Sequence, residues 1–96
     1  MDTERIRLFA VDYRYADGAA TFEIFDTLPK AESFIRSFDN PQVCIPVRLW
    51  QGDFDTDMVY QESNGEWNYE EFAGMVANEQ TIRVMNEKLP EHYVLN

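Results

Sequence analysis

The stretch Arg5–Phe38, RIRLFAVDYRYADGAATFEIFDTLPKAESFIRSF, decides the fold class. Its hydrophobic spacing changes once, from alternation to helical periodicity. From Arg5 to Tyr15 the chain is rich in β-forming residues. Phe9, Val11, Tyr13 and Tyr15 fall on one face of a strand, and Ile6, Leu8 and Ala10 on the other. The first half of that strand is therefore expected to be covered on both sides. Ala16-Asp17-Gly18-Ala19 is a turn, with Asp-Gly as the hairpin signal. A return strand runs from Ala20 to Asp26. Thr27 then caps a helix, and Pro29 is tolerated in its first turn, where a missing N–H costs nothing. Leu28, Ala31, Phe34, Ile35 and Phe38 form an apolar stripe that packs across the hairpin. Asp39-Asn40-Pro41 ends the helix, because a residue before proline is pushed out of the helical region.

Beyond this stretch, Val43, Ile45, Val47 and Leu49 alternate with Cys44, Pro46, Arg48 and Trp50, which predicts a third strand. Pro46 lacks a ladder donor, so that strand is expected to be an edge or to bulge there. Gly52–Asp57 reads as an acidic loop and Met58–Glu62 as a fourth strand. Asn64-Gly65 is a second hairpin signal, leading to a brief fifth strand over Glu66–Tyr69. Asn68, with Glu71 three residues on, suits the cap of a second helix. Phe72, Met75, Val76, Ile82, Met85 and Leu89 follow at helical spacing. One helix over Tyr69–Lys88, a break near Asn78, and a strand over Thr81–Met85 are all compatible with the pattern. Pro90 ends that segment, and the tail docks through Tyr93 and Leu95. The chain is read as one domain, residues 1–96, of the α+β class: a small antiparallel sheet of four or five strands in the order β-β-α-β-β-(β)-α, with one or two helices packed on one face.

Hydrophobic content of 45% and aromatic content of 15% describe a folding chain despite a net charge of −10. The charge is uneven, since residues 51–96 hold ten acids against two bases, Arg83 and Lys88. Direct binding to nucleic acid or to anionic membrane is disfavoured, because both rest on clustered Lys and Arg. Cys44 is the only cysteine, so no internal disulfide forms. The N-terminal residues lack a signal-peptide pattern, and no apolar run approaches a bilayer span. The expectation is a soluble, cytoplasmic protein. An edge strand near Pro46 and a small core are compatible with a homodimer.

Most chemistry finds no foothold. Asp53-x-Asp55-x-Asp57 resembles the opening of a calcium-binding EF-hand loop, but Met58 and Asn64 stand where glycine and glutamate are required. His92 is the only histidine and has no second thiol or imidazole with which to build a zinc site. A Cys44–His92 pair needs the third strand and the tail to meet. Glu70 and Glu71 are adjacent and diverge on a helix. No catalytic residues, metal or cofactor are expected.

The residues between Arg48 and Arg83 carry the functional expectation. They include no Lys or Arg, and hold Asp53, Asp55, Asp57, Glu62, Glu66, Glu70, Glu71 and Glu79. Six aromatics lie among them: Trp50, Phe54, Tyr60, Trp67, Tyr69 and Phe72. Tyr60 or Trp67 on the sheet and Phe72 on a helix are expected in the core. Trp50, Phe54 and Tyr69 are expected as partner anchors, since Tyr and Trp are enriched where side chains bury into a partner. Glu70 and Glu71 have a local reason to exist, as helix-start acids. Asp53, Asp55, Asp57, Glu62 and Glu66 have none, and carry more of the functional weight. In size, charge and acid distribution the chain resembles the small acidic DNA-mimic inhibitors that phages make against host defence, such as anti-restriction and anti-CRISPR proteins. That resemblance implies a basic partner protein, a nucleic-acid-binding enzyme or complex, whose Lys/Arg-lined groove the carboxylates occupy. An immunity protein or antitoxin against a basic nuclease toxin has the same physics. A non-catalytic housekeeping module that is acidic only for solubility is the plainer alternative.

Overall fold

A computed structural model describes residues 4–69 and 76–85. The chain forms β1 (Arg5–Tyr15), β2 (Ala20–Phe25), α1 (Leu28–Arg36), β3 (Cys44–Asp55), β4 (Val59–Gln61), β5 (Trp67–Tyr69) and β6 (Val76–Val84). All six strands join one antiparallel sheet in the order β4-β5-β2-β1-β3-β6.

The first hairpin and the helix follow from local chemistry. β1 and β2 pair from Phe9↔Phe25 to Arg14↔Ala20. The turn is closed by Gly18 at φ 94°, a conformation open to glycine, and by Asp17, whose Oδ1 accepts the Ala19 N–H at 2.9 Å. At the helix start the Thr27 hydroxyl accepts the Lys30 N–H at 3.4 Å. The helix stops at Ser37, well before Pro41, where the Ser37 hydroxyl donates to the Phe34 carbonyl at 2.6 Å.

A three-residue link shapes the sheet. Thr56–Met58 joins β3 to β4, yet the hydrogen-bonded order sets these strands four places apart. In a flat sheet that separation is roughly 19 Å. The chain from Asp55 to Val59 reaches at most about 14 Å. The sheet therefore rolls up until β4 returns to the end of β3. Packing agrees, because Val59 joins Leu8, Ala10, Ile24, Trp50 and Phe54 in one buried cluster. This concave core is aromatic: Trp50 stacks on Phe54 at 5.6 Å and Phe22 on Tyr69 at 4.6 Å between ring centroids. On the convex side, Ala31 of α1 meets buried Val11 and Leu49, with Leu28, Phe34 and Ile35 packed around them. β1 is thus covered on both sides, as its sequence predicted.

The architecture corrects the expected fold class. The sheet has six strands, not four or five, and one short helix is described where one or two were expected. Of the alternatives over Tyr69–Lys88, the single helix is overturned in its centre, where Val76–Val84 is a strand that takes in most of the alternative strand over Thr81–Met85; residues 70–75 and 86–88 lie outside the described residues. β6 carries two register shifts against β3, with one extra residue at Ile82 and another at Asn78–Glu79, where Asn78 has φ 56°. Each bulge adds a residue and turns a spacing of two into three. The loop expected over Gly52–Asp57 is also mostly strand, since β3 continues to Asp55. Gly and Asp are poor strand formers. Here Arg7 and Arg5 of β1 lie opposite Asp53 and Asp55 and supply the missing compatibility.

Pro46 sits beside a bulge, as its missing donor predicted: Arg48 pairs with Asp12 and Pro46 with Tyr13, leaving Val47 as the extra residue. β3 is not an edge. The edges are β4, three residues long, and β6, whose two bulges and charged Glu79 and Arg83 interrupt a template for further strands.

Candidate partner-binding surface

The carboxylates separate into two groups by what β1, β3 and α1 place beside them. Asp53 lies across from Arg7, which donates from Nε at 2.6 Å, and Asn78 adds an Nδ2 donor at 2.8 Å. The Arg7 hydrogen bond, and then that of Asn78, hold the Asp53 carboxyl below its ordinary range. Glu79 receives Arg48 at 3.0 Å. Arg48 also bonds Asp12 at 3.0 Å and Thr81 at 3.2 Å, and lies 5.3 Å from the Trp50 ring centroid. Trp50 Nε1 completes that network by donating to Asp12 at 2.7 Å. Glu32 on α1 takes both terminal nitrogens of Arg83, at 2.6 and 2.9 Å, which lowers its pKa. Asp26 pairs with Lys30 at 2.9 Å. These acids tie strands and helix together.

A pH dependence follows. Asp53 and Glu32 have depressed folded-state pKa values, so their stabilisation is complete above the ordinary carboxylate range, about 4, and is lost as pH falls through the lower folded values. Tm should therefore fall more steeply between about pH 5 and pH 2 in the wild type than in Asp53→Asn/Glu32→Gln. Comparison with the variant separates this loss from the relief of general acidic repulsion on protonation. Equal slopes in thermal melts would show that the two pairs are not coupled to folding.

The second group has no base within ion-pair distance among the described residues. Asp55 and Asp57 lie at the β3–β4 turn, where Asp55 Oδ1 accepts the Asp57 N–H at 2.9 Å. Glu62 and Glu66 face each other across the β4–β5 turn, with the Glu62 N–H donating to the Glu66 carbonyl at 2.7 Å. That turn is set by Gly65 at φ 90° and by Asn64, whose Oδ1 accepts the Glu66 N–H at 3.0 Å. Between the two acidic pairs lies edge strand β4, with Tyr60 42% exposed. From Asp57 to Glu62 the chain reaches at most roughly 17 Å.

The expected residues thus scatter. Asp55, Asp57, Glu62 and Glu66 border one edge strand. Asp53 is tied up by Arg7. Trp50 and Phe54, 1% and 0% exposed, are core residues with no surface to offer a partner. Tyr69 is half-buried against Phe22. Glu70, Glu71, Phe72 and His92 lie outside the described residues, and so does the outcome of the Asn68–Glu71 cap; Asn68 itself is in β5. Of Tyr60 and Trp67, either of which was expected in the core, Trp67 packs against the concave cluster and Tyr60 is exposed. Its signal was its place on a short strand between two acidic turns. The Asp53-x-Asp55-x-Asp57 run is split between strand and turn, and among the described residues no three acidic, His or Cys side chains converge as a metal site. No described helix is long and apolar enough to cross a membrane. No protein-family model, curated protein or solved structure matches this chain.

Proposed function

We propose that the protein is a binding inhibitor that occupies a basic, nucleic-acid-binding surface of a partner protein through the β4 edge. One observation carries the reading. Five acids form ion pairs with Arg or Lys within the fold, while Asp55, Asp57, Glu62 and Glu66 border an edge strand without one. Charges held on a rigid turn and hairpin keep their field directed outward, which steers a basic partner and speeds encounter. The reach of at most roughly 17 Å between the acidic turns is no more than about five base pairs of duplex. Tyr60 between them supplies an aromatic contact that a purely solvated face does not need.

The test is capture of partners from the source organism at low salt, followed by challenge with salt and duplex DNA. Both challenges should release the partner. Reversal of Asp55, Asp57, Glu62 and Glu66 to Lys should weaken binding by at least about 100-fold, since each close charge pair in an interface couples by about 1.5 kcal/mol or more. Circular dichroism checks that the variant keeps its sheet, since Asp55 also accepts the Asp57 N–H and lies opposite Arg5. Wild-type binding by the fourfold variant would leave the β4 edge as a solvated face.

A further inference from the structure

The two edges of the sheet differ. β6 pairs with β3 through two register shifts, whereas β4 pairs with β5 in unbroken register, Val59↔Tyr69, Tyr60↔Asn68 and Gln61↔Trp67. The direction of the β4 backbone follows from its turn. The Glu62 N–H donates to the Glu66 carbonyl at 2.7 Å, so Glu62 points its backbone towards β5. Alternation along the strand gives Tyr60 the same direction and turns the N–H and C=O of Val59 and Gln61 the other way. Among the described residues no strand pairs with that side of β4. Edge groups of this kind are a template for another chain. Val59 and Gln61 each present one donor and one acceptor there. So short an edge discriminates by what flanks it: the carboxylates of Asp55 and Asp57 at one end, those of Glu62 and Glu66 at the other, and the exposed Tyr60 ring between them.

We propose that an extended, basic segment of the partner adds to the sheet as a strand beside β4; this rests on the inhibitor reading above and names how its surface is engaged. Main-chain hydrogen bonds to Val59 and Gln61 give the segment its register. Lys or Arg side chains towards its two ends meet the acidic turns, which makes the edge selective for positive charge. A side chain on the outer face between them lies beside the Tyr60 ring, where a cation is attracted to the aromatic face. A second copy of this chain is a poor occupant, because pairing β4 with β4 sets the acids of one copy against those of the other.

The probe is a capped (Thr-Lys)4 peptide, titrated at low salt into ¹⁵N-labelled full-length protein, with amide exchange read residue by residue. Spermine carries charge without a peptide backbone, and (Thr-Gln)4 carries the backbone without the charge. The lysine peptide should slow exchange of the Val59 and Gln61 amides saturably, while the Tyr60 amide, already turned to β5, changes little. Neither control should slow them. Gln61→Pro removes one outward donor at an edge position, where proline is tolerated, and keeps every carboxylate. It should weaken the peptide at least about tenfold, whereas Gln61→Thr, which keeps the N–H, should bind as wild type. Both variants lose the Gln61 Nε2 bond to the Gly65 carbonyl at 3.0 Å, so their comparison isolates the backbone donor. Circular dichroism checks the sheet in each. Peptide binding that leaves Val59 and Gln61 exchange unchanged, or that survives Gln61→Pro, overturns the added strand. Equal protection by spermine overturns it too, and equal protection by (Thr-Gln)4 overturns charge selection. The inhibitor reading fails separately, through wild-type partner capture by the fourfold variant. Loss of capture in that variant with full capture by Gln61→Pro would keep the inhibitor surface and remove the strand from it.

Discussion

Trp50→Ala will lower the unfolding free energy by about 3–5 kcal/mol, the range for emptying a buried aromatic site. Three losses coincide at this position. The ring is 1% exposed and stacks on Phe54 in the concave core. Its Nε1 satisfies Asp12, which also holds Arg48. Its face lies beneath the Arg48 guanidinium. Alanine leaves a cavity, frees one Asp12 oxygen, and removes the surface on which Arg48 rests while it reaches to Glu79 and Thr81 of β6. Small domains have total stabilities of about 5–15 kcal/mol, so the variant will be partly unfolded or unfold at low urea. Trp50→Phe keeps most of the ring volume and should lose less. Urea denaturation measures both, and a loss under about 1 kcal/mol for Trp50→Ala would mean that the core collapses around the gap.

Gly52→Ala will destabilise by about 1–3 kcal/mol, the usual cost of overpacking. The position is an ordinary strand site in β3, and the reason is space. A Cβ there meets Val76 Cγ1 at 2.7 Å and Trp50 Cζ3 at 3.4 Å. Val76 is branched at Cβ and has little rotamer freedom with which to move away. It opens β6, so the clash pushes on the edge strand at its first ladder position, opposite Phe54. Gly52→Ala/Val76→Ala should recover much of the loss, with a coupling of about 0.5–3 kcal/mol in the double-mutant cycle. Strict additivity would show that the glycine is needed for some cause other than Val76. Hydrogen exchange should locate the damage, with faster exchange along β6 in the single variant than along β1.

The two variants mark where reading the chain was sufficient and where it was not. The Arg5–Phe38 stretch was legible because its interactions are local: an Asp-Gly turn, a threonine cap and an apolar stripe all operate within a few residues. Pro46 was legible for the same reason, as a missing donor forecasts a ladder fault wherever the strand lies. The acids were legible as a composition but not as a surface. Asp53 and Asp55 read alike, yet one is matched by Arg7 from forty-six positions away and the other has no ion pair. Trp50 and Phe54 read as anchors because aromatics beside acids have two uses, and only the roll of the sheet assigns them to its interior.

What the sequence determined by itself was the first hairpin, the helix on its back, the second hairpin at Asn64-Gly65 and an excess of carboxylates in the C-terminal half. Tertiary structure decided the rest. Strand order set β4 four places from β3 while the chain allowed only three linking residues, and this mismatch forced the roll that buries Trp50 and Phe54. Pairing along β3 turned the acidic run after Gly52 into strand and the expected helix centre into bulged β6. Cross-strand arginines then chose which carboxylates were consumed within the fold and which four were left at the β4 edge, because ion pairing depends on distance in space and the sequence records only distance along the chain.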